Sequence, residues 1–545
     1  MRGHLPRLKA DKTILAYTPA SGAILSADGD VLRETDALGA SPTRIFVIEW
    51  KHCDLDEGES MARYLDITKK RTKIVCTMGP ATEDDDVLRA LMQNGMNVAR
   101  FNFSHGSHDY HRNNIERVRR IAKELGITVA ILLDTKGPEI RTGQLVDHKP
   151  VTLVAGERFV LTTNVVPGSA ECVSISYDGL PRDVKPGTMI LVSDGLIELK
   201  VLEVQGTDIH CEIVNGGELG EKKGINVPGV EVSLPSVTEQ DRADIQFGCE
   251  LGIDAIAASF IRNAEAVEEI RTICHDANQS DILIFSKIEC SIAVENYKSI
   301  AMASDGIMVA RGDLGVEIPE ETLPHVQKTI IKFCNDNYKP VITATQMLDS
   351  MIKNPRPTRA EVTDVANAIY DGTSCVMLSG ETAAGHYPAE AVRTMASICI
   401  ETEKYREERD QVPHRKGIRN VNTVIGRSSV RIADAVGATC ILCPTHTGRT
   451  PRLVSASRPH LPIYAFSSME RAVRRTNFYW GVHAELSEEQ DTHTDACYNA
   501  IKMAKEYGYA QKGDLVVVMA GDPETTPFDD DYVSSTNMIT VAQIR

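Results

Sequence analysis

Eight short apolar runs along residues 72–380 constrain the fold of this chain more than any other feature. Their sequences are TKIVCTMG, NVARFNFS, VAILLDT, DAIAASF, ILIFSKIE, GIMVARGD, PVITATQM and SCVMLSG. Runs this continuous are typical of strands buried on both faces, as in parallel sheets. Helical patterns lie between most of them, at residues 84–94, 110–125, 264–277, 322–337 and 358–370. Without one long gap the unit spans about 240 residues, which predicts a (β/α)8 TIM barrel of the α/β class.

The long gap, residues 143–234, has a different pattern. Its segments VTLVAGERFVLTT, VSISYDGL, MILVSDGLIELKVLEV and DIHCEIVNGGELG alternate in polarity and are separated by glycine-rich turns. They predict a small all-β domain inserted after the third strand. A domain inserted there emerges at the carboxyl ends of the strands, where barrel enzymes have their active sites, so we expect a lid.

A separate C-terminal α/β domain is predicted beyond a charged linker at residues 406–420. There the apolar runs CILCP, PIYAFS, DLVVVMAG and MITVAQI alternate with helical patterns at residues 469–476 and 494–507. The predicted domains are residues 71–142 and 235–405 for the barrel, 143–234 for the lid, 421–545 for the C-terminal domain, and 1–70 for an N-terminal extension. The sequence leaves open whether that extension is genuine or an upstream start.

Composition excludes several classes of protein. The chain has 545 residues, 42% of them apolar, but no run approaches the roughly 20 apolar residues of a spanning helix. Its first residues contain no apolar stretch typical of a secretory signal. Thirteen cysteines scattered through apolar segments indicate reduced thiols, and hence a cytoplasmic protein. The net charge of −17 argues against nucleic acid as a partner.

Polar side chains follow six of the predicted strands at the same end. They are Arg100, Asn102 and Ser104, then Asp134, Thr135 and Lys136, then Lys287 and Glu289, then Arg311 and Asp313, then Thr345, and finally Ser379 and Glu381. Any one pair among them is equally explained as a structural salt bridge. Because the carboxyl ends of barrel strands meet at one mouth, agreement among six strand ends predicts an active site.

The predicted site has the chemistry of phosphoryl transfer. Glu289 and Asp313 offer a divalent cation two carboxylates and leave its other positions to water or substrate, as magnesium prefers. Lys287, two residues before Glu289 on one strand, faces the same side and neutralises charge on a phosphoryl group. Backbone N–H groups near Gly312 and Asp313 predict a cradle for an anion such as a carboxylate. No GxxxxGK[ST] motif occurs, which excludes a P-loop kinase.

Six motifs resemble the pyruvate kinase family in their order and spacing. They are ARFNFSHG, LLDTKGPEIRTG, SKIE, ARGDLGVEIP, TATQMLDSM and MLSGETAAGHYP. The resemblance covers roughly residues 70–545, and it implies a phosphotransferase that passes the phosphoryl group of phosphoenolpyruvate to ADP, giving ATP and pyruvate in glycolysis. It also implies a homotetramer, with ADP between barrel and lid. Cys290, after SKIE, departs from the asparagine or similar polar residue of many relatives.

The resemblance also implies individual roles. Glu289 and Asp313 correspond to the ligands of Mg2+ or Mn2+, and Lys287 to the lysine of phosphoryl transfer. Glu139 corresponds to the residue type of potassium-dependent members. The other implied residues are Asn102, Ser104, Asp134 and Thr135 for K+, Arg100 for phosphate, Ala310, Gly312 and Asp313 for substrate, His105 with Lys222 or Lys223 for nucleotide, Thr345 for the proton step, and Ser379 and Glu381 behind it.

The segment PTHTGRTPRL in the C-terminal domain follows a strand and precedes a helix. It resembles the sugar-phosphate effector loop of the family, and the residues that would form a phosphate nest are Thr445, Thr447, Gly448, Arg449 and Thr450. An ordinary helix cap is the alternative. The neighbouring loop GDPETTPFDDDY is acidic and repels a bisphosphate, so a monophosphate effector, or none, stays open.

Two further motifs have plainer explanations, and two other functions stay open. Cys440 and Cys443 lie inside an apolar strand and are predicted core thiols. His105, His108 and His111 lack the closed ligand set of a zinc site.

Another metal-dependent barrel, such as a lyase or aldolase acting on phosphoenolpyruvate or a 2-oxo acid, is the alternative enzyme. A non-catalytic metabolite sensor is the other alternative, which the intact Lys287, Glu289 and Asp313 set disfavours.

Overall fold

The computed structural model describes residues 67–407, 421–490, 492–521 and 536–545. It also describes the backbone of three short strands, which pair antiparallel: Ala16–Thr18, Ala23–Leu25 and Val31–Leu32. Most of the predicted N-terminal extension, most of the linker and most of the acidic loop lie outside the described residues. In the described part of the chain, no helix is both long enough and apolar enough to cross a membrane.

Eight parallel strands close into a barrel, as the apolar runs predict. They are β1 (Lys73–Thr77), β2 (Val98–Asn102), β3 (Ala130–Asp134), β4 (Ala255–Ala258), β5 (Leu283–Ile288), β6 (Gly306–Ala310), β7 (Val341–Ala344) and β8 (Cys375–Leu378). Nearly every strand residue is buried, because the barrel interior covers one face and helices cover the other.

Five of the eight long barrel helices begin and end near the positions that periodicity predicts, and Glu239–Glu250, Ser291–Ala303 and Pro388–Glu407 are additional. The long ones are Asp85–Gln93, His108–Leu125, Glu239–Glu250, Ala264–Asp276, Ser291–Ala303, Leu323–Asp336, Arg359–Asp371 and Pro388–Glu407. Two short helices, Arg311–Glu317 and Gly380–Ala383, follow β6 and β8. Local chemistry fixes the ends: Asp84 caps the first helix by accepting from two backbone N–H groups.

Short 3-10 turns complete the helical structure. They are Ile67–Lys69, Pro80–Thr82, Val146–His148, Glu320–Thr322, Asp349–Ile352 and Thr476–Phe478.

Opposite ends of the barrel differ in character. Inward-facing residues such as Val75, Ala257 and Met308 form one buried cluster with apolar residues of the C-terminal domain. The rings of Phe285 and Phe478 lie 4.8 Å apart in this cluster. The amino ends of the strands are therefore sealed by apolar packing, whereas the carboxyl ends carry the polar residues.

The segment between β3 and β4 folds into an all-β domain with its own core, as predicted. Seven strands form one sheet in the order Cys172–Ser174, Arg158–Thr162, Asp208–Asn215, Ile197–Gln205, Met189–Val192, Gly224–Asn226 and Ile140–Arg141. A second pair joins Val151–Leu153 to Gly217–Leu219, and a single helical turn spans Leu180–Asp183.

The C-terminal domain contains a five-stranded sheet. Its order is Val482–Leu486, Ile463–Ser467, Cys440–Pro444, Leu515–Gly521 and Thr536–Gln543, and only the last strand runs antiparallel to its neighbour. Its helices are Val421–Val436, Arg449–Ala456, Glu470–Arg475 and His493–Glu506. Cys440 and Cys443 are buried in the central strand, and burial raises the pKa of both thiols, as expected of core cysteines.

Candidate active site

Asp134, the last residue of β3, lies at the centre of the polar mouth. Nε of Arg100 donates to its Oδ2 at 2.6 Å, and Nζ of Lys287 donates to its Oδ1 at 3.1 Å. Burial alone raises a carboxyl pKa, but the two cations outweigh burial and hold the pKa of Asp134 below its usual range. Three strands thus bring their charged ends together, as the strand-end pattern predicts.

Lys287 and Glu289 form an ion pair inside the barrel mouth. Nζ of Lys287 lies 2.8 Å from Oε1 of Glu289, and both side chains are almost fully buried. Burial lowers the pKa of the lysine, yet the carboxylates of Asp134 and Glu289 raise it further, so the net shift is upward. The ammonium is therefore charged at every physiological pH.

The charge of Asp313 makes ionisation of Glu289 more costly. Burial, together with the charge of Asp313, raises the pKa of Glu289 to about 7, against the opposing effect of Lys287. Asp313 faces the open cavity, where partial desolvation raises its pKa and the carboxylate of Asp194 adds to the rise. Two carboxylates that repel each other in this way are suited to share a cation.

The acidic pair offers two carboxylates to a cation. Within the ranges that the structure describes, no group of three or more His, Cys, Asp or Glu side chains is placed to hold a metal ion. Oε2 of Glu289 accepts from the backbone N–H of Phe260 at 2.7 Å, which orients the carboxylate. Hard oxygen donors in this number fit a magnesium-like ion that keeps water and substrate oxygens as its other ligands.

The predicted monovalent-cation residues lie around the same carboxylate. Oδ1 of Asn102 accepts from the N–H of Ser104 at 3.2 Å, and Asp134 is the residue that pairs with Asn102 across the neighbouring strand. Thr135 follows directly, and its carbonyl accepts from the hydroxyl of Ser259 at 2.5 Å. The cluster offers amide, hydroxyl, carboxylate and carbonyl oxygens, the donor types that suit K+.

Thr345 is held in an uncommon backbone conformation after β7. Its φ is 67°, and that of Gln346 is 53°, both left-handed values that are costly for residues other than glycine. The Thr345 hydroxyl accepts from the N–H of Gly312 at 2.7 Å and donates to the carbonyl of Ala344 at 2.6 Å. The N–H of Gly312, predicted as part of an anion cradle, is therefore already engaged.

Glu381 anchors the loops beside β8. It is buried and accepts backbone N–H bonds from Leu348 at 3.0 Å and Ser379 at 2.7 Å. Oγ of Ser379 is shielded from solvent and has no hydrogen-bond partner among the described residues. A buried hydroxyl in this state fits a bound water or ligand atom as its partner.

A cavity of about 430 Å³ lies between the all-β domain and the barrel mouth. Its lining includes both predicted nucleotide lysines, Lys222 and Lys223, together with His105 and Asp313. Arg141 also lines it and pairs with Glu139 at 2.8 Å. The volume is in the range of small-molecule sites, and the cations face an acidic wall that includes Asp194 and Glu317.

The histidines of SHGSHDYH are separated by different partners. Nε2 of His108 lies 2.6 Å from Oδ1 of Asp244, and Nε2 of His111 lies 2.8 Å from the carbonyl of His105. The ring of His111 also stacks on Phe103 at 4.0 Å. These contacts serve packing, and His105 is exposed at the cavity.

A second cavity, of about 390 Å³, lies in the C-terminal domain. Four of the five predicted effector residues line it: Thr445, Thr447, Arg449 and Thr450. Gly448 precedes the helix at φ 81°, and its N–H donates to Oγ1 of Thr445 at 3.1 Å. Glu488 and Glu489 form part of the opposite wall.

Several residues of the mouth escape sequence reasoning. Ser259, directly after β4, contacts both Lys287 and Thr135, and Thr77 at the end of β1 accepts from Arg100 at 2.9 Å. Both residues lie at the carboxyl ends of barrel strands, so the strand-end rule could have identified them from the sequence. Arg311, predicted as a strand-end cation, donates through Nη1 to both carboxylate oxygens of Asp364 and through Nη2 to the carbonyl of Thr345 at 2.6 Å.

These features define a class of protein: a barrel of the enzyme type with a capping domain, and with a buried lysine and an acidic pair at the barrel mouth. Comparison with known families agrees. The profile of the pyruvate kinase barrel domain matches residues 69–392, and that of the pyruvate kinase alpha/beta domain matches residues 423–542.

Individual relatives extend the agreement over most of the chain. A pyruvate kinase of Geobacillus stearothermophilus is 50% identical over 459 residues, covering 84% of this chain and 78% of the relative. A pyruvate kinase of Staphylococcus epidermidis is 46% identical over 458 residues, covering 83% and 78%. The crystal structure of a pyruvate kinase from Cryptosporidium parvum superimposes with a TM-score of 0.80 at 39% identity, over 88% of this chain and 97% of that one.

The chain belongs to the pyruvate kinase family. Its activity is phosphotransfer from phosphoenolpyruvate to ADP, which gives ATP and pyruvate in the last step of glycolysis, and this kinase reaction requires a divalent metal.

Proposed function

We propose that Glu289 and Asp313 hold the divalent metal, Mg2+ or Mn2+, and that Lys287 is the residue that stabilises the phosphoryl group in flight. A bound metal of this kind supplies charge neutralisation at the phosphoryl oxygens. Two observations support the role of Lys287 beside this metal. Its Nζ lies 2.8 Å from Glu289, and its burial strengthens electrostatic interactions. Arg100, fixed by Asp134 and Thr77, binds the phosphate from the other side.

The segment Ala310 to Asp313 and Thr345 then position the carboxylate end of the substrate. Thr345 also stands where the enolate carbon takes its proton, through a water held near it. The unpartnered hydroxyl of Ser379 supports a water site in this region, and Glu381 keeps Ser379 and the β7 loop in place through its two backbone bonds. Glu381 is accordingly a positioning residue.

A monovalent cation, K+, completes the site at Asn102, Ser104, Asp134 and Thr135. The cluster supplies oxygen donors of the right kind, and its carboxylate is the one that already orients Arg100 and Lys287. Glu139 lies in the cavity wall near Asp313, whose pKa it raises, and it corresponds to the residue type of potassium-dependent relatives. We expect catalysis to depend on K+.

ADP occupies the 430 Å³ cavity, with Lys222 or Lys223 at its phosphates and His105 at the nucleotide, and the all-β domain closes over it as a lid. The domain boundaries follow the sequence pattern, 71–142 with 235–405, 143–234, and 421–545, except that the strand Ile140–Arg141 belongs to the sheet of the all-β domain. The cysteine pattern indicates a cytoplasmic protein, and the family resemblance implies a homotetramer.

A phosphorylated effector binds the second cavity at Thr445, Thr447, Gly448, Arg449 and Thr450. The glutamates of the opposite wall favour a monophosphate over a bisphosphate, since each added negative charge is repelled there.

The observation that carries the catalytic assignment is the buried Lys287–Glu289 pair, 2.8 Å apart, with Asp313 raising the pKa of Glu289. A coupled assay of pyruvate formation, with ADP, Mg2+ and K+ omitted in turn, tests the assignment. Loss of product on each omission is expected. Pyruvate formed without ADP would indicate a lyase or aldolase, and no turnover in the complete mixture would indicate a sensor.

A further inference from the structure

The hydroxyl of Ser259 lies between Lys287 and the oxygen cluster around Thr135. Ser259 follows β4 directly and is 3% exposed. Its Oγ lies 2.8 Å from Nζ of Lys287 and 2.5 Å from the carbonyl oxygen of Thr135, while its N–H donates to Oγ1 of Thr135 at 3.0 Å. Two bonds therefore lock Ser259 to Thr135, and a third reaches the lysine.

Proton counting fixes the direction of these bonds. An ammonium only donates, so Ser259 accepts from Lys287 and keeps its own single proton for another acceptor. The Thr135 carbonyl at 2.5 Å is the nearer acceptor, since Oδ1 of Asp134 lies 3.3 Å away. The three N–H groups of Lys287 are thus directed to Asp134, Glu289 and Ser259, and Ser259 is the neutral partner among them.

We propose that Ser259 is a positioning residue that couples the monovalent-cation cluster to Lys287. The inference rests on the proposed function, in which Thr135 contributes to that cluster and Lys287 stabilises the phosphoryl group. A cation that fixes the Thr135 carbonyl fixes the Ser259 hydroxyl, and the hydroxyl fixes the ammonium. Without the Ser259 hydroxyl, the ammonium of Lys287 moves toward the carboxylates of Asp134 and Glu289. Because coupling is reciprocal, loss of the hydroxyl also weakens binding of the cation.

The neighbouring strand offers a matched control. Ser286, directly before Lys287 on β5, is also fully buried, with 0% exposure. Its Oγ pairs with Oγ of Ser304 at 2.7 Å, away from Asp134 and Thr135. Ser286→Ala therefore removes the same buried atom as Ser259→Ala but leaves the mouth unchanged.

Both variants are compared with the wild-type protein in two measurements. The first is steady-state kinetics as a function of K+. The second is the rise of Tm caused by K+, measured with Mg2+ present and substrates absent. Tetramethylammonium chloride at equal ionic strength is the salt control. Ser259→Ala is expected to lower kcat about 10- to 100-fold, the effect of losing one hydrogen bond to a charged group. It is also expected to raise the half-saturating K+ concentration in both measurements at least about fivefold, with the KM for ADP little changed.

The outcomes separate this inference from the proposed function. Wild-type kcat in Ser259→Ala, or an unchanged K+ requirement in both measurements, overturns the coupling and leaves the catalytic roles standing. A wild-type protein that responds equally to K+ and tetramethylammonium overturns the potassium site and the coupling with it. If Ser259→Ala does not fold, Ser259→Cys, which keeps the volume and a weak acceptor, is measured instead, and an intermediate K+ requirement is expected.

Discussion

Lys287 and Glu289, two residues apart at the end of β5, form a buried ion pair with 2.8 Å between Nζ and Oε1. A buried pair of this kind contributes little net stability, because desolvation offsets most of the Coulomb attraction. Its position at the mouth of the barrel, near the charges of Asp134 and Asp313, is therefore better explained by the proposed chemistry, in which Glu289 binds a metal and Lys287 a phosphoryl group.

Removal of the ammonium is the most damaging single change that we expect. Lys287→Met should lower kcat at least about 1,000-fold, because the charge of the transferring group loses its fixed cation. Mg2+ binding, measured by titration of Tm, should stay largely intact. Lys332→Met is the control, since this lysine is on a helix surface with 75% of its side chain exposed. Near-normal turnover of Lys287→Met would show that its role is assigned wrongly.

Removal of the Glu289 carboxylate should weaken metal binding and leave the fold intact. Glu289→Gln is nearly isosteric but loses the negative charge, so the Mg2+ concentration for half-maximal activity should rise at least about tenfold. Glu268→Gln, on a helix with 61% of the glutamate exposed, should leave it unchanged. An unaltered Mg2+ requirement in Glu289→Gln contradicts the metal assignment.

Protons should compete with the divalent metal. The pKa of Glu289 is raised to about 7, mainly by burial, so in the metal-free protein this carboxyl gains a proton as the pH falls below that value. The apparent affinity for Mg2+ should consequently decrease between pH 8 and pH 6, about tenfold per unit below the pKa. Isothermal titration at several pH values measures this, and Glu289→Gln should lose the dependence. A flat profile in the wild-type protein argues against Glu289 as a ligand.

A different pH effect is expected at the sealed end of the barrel. Burial, with a contribution from Lys70, lowers the pKa of Lys73 from 10.5 to about 7, and its Nζ donates to the carbonyl of Val482 at 2.6 Å. Between these two pH values the unfolded chain binds more protons than the folded one, so stability rises with pH through that window. Below pH 7 the full cost of burying the charge is present.

Lys73→Met tests that sign directly. The variant should show a smaller increase of the urea midpoint between pH 7 and pH 9 than the wild-type protein, with Lys332→Met behaving like wild type. Equal increases in all three proteins contradict a neutral Lys73 in the fold.

Arg449→Ala should abolish the response to a sugar phosphate, because this arginine is the cation of the predicted nest that lines the second cavity. Basal activity without effector serves as the internal control and should not change. Ribose 5-phosphate and fructose 1,6-bisphosphate, compared at equal concentration, distinguish a monophosphate site from a bisphosphate site. Activation of Arg449→Ala equal to that of the wild-type protein excludes this cavity as the effector site.

The fold was largely predictable because its signals are local and repeated. Each barrel strand is a continuous apolar run, and helices such as His108–Leu125 and Arg359–Asp371 have their own period and caps, so errors at one element do not propagate. The contact between Phe285 and Phe478 at the amino ends of the barrel strands joins residues almost 200 positions apart, and no local sequence pattern predicts it. Its role depends on how the C-terminal domain packs, which periodicity does not encode.

The convergence of the strand-end side chains was predictable, but their hydrogen bonds were not. The strand-end rule brought Arg100, Asp134 and Lys287 together correctly, because the carboxyl ends of parallel strands share one rim. It did not reveal that the Gly312 N–H is engaged by Thr345, since that bond depends on a left-handed Thr345. Ser259 obeys the strand-end rule, but serine at a strand end is common, and its distances to Lys287 and Thr135 set it apart.

Diffraction from crystals grown with Mn2+ and an unreactive phosphoenolpyruvate analogue tests the central claim most directly. The account predicts one anomalous peak at the barrel mouth, within bonding distance of carboxylate oxygens from both Glu289 and Asp313, with Nζ of Lys287 directed at the phosphate of the analogue. A peak bound to neither carboxylate, or a lysine that stays on Asp134 and away from the analogue, would contradict it.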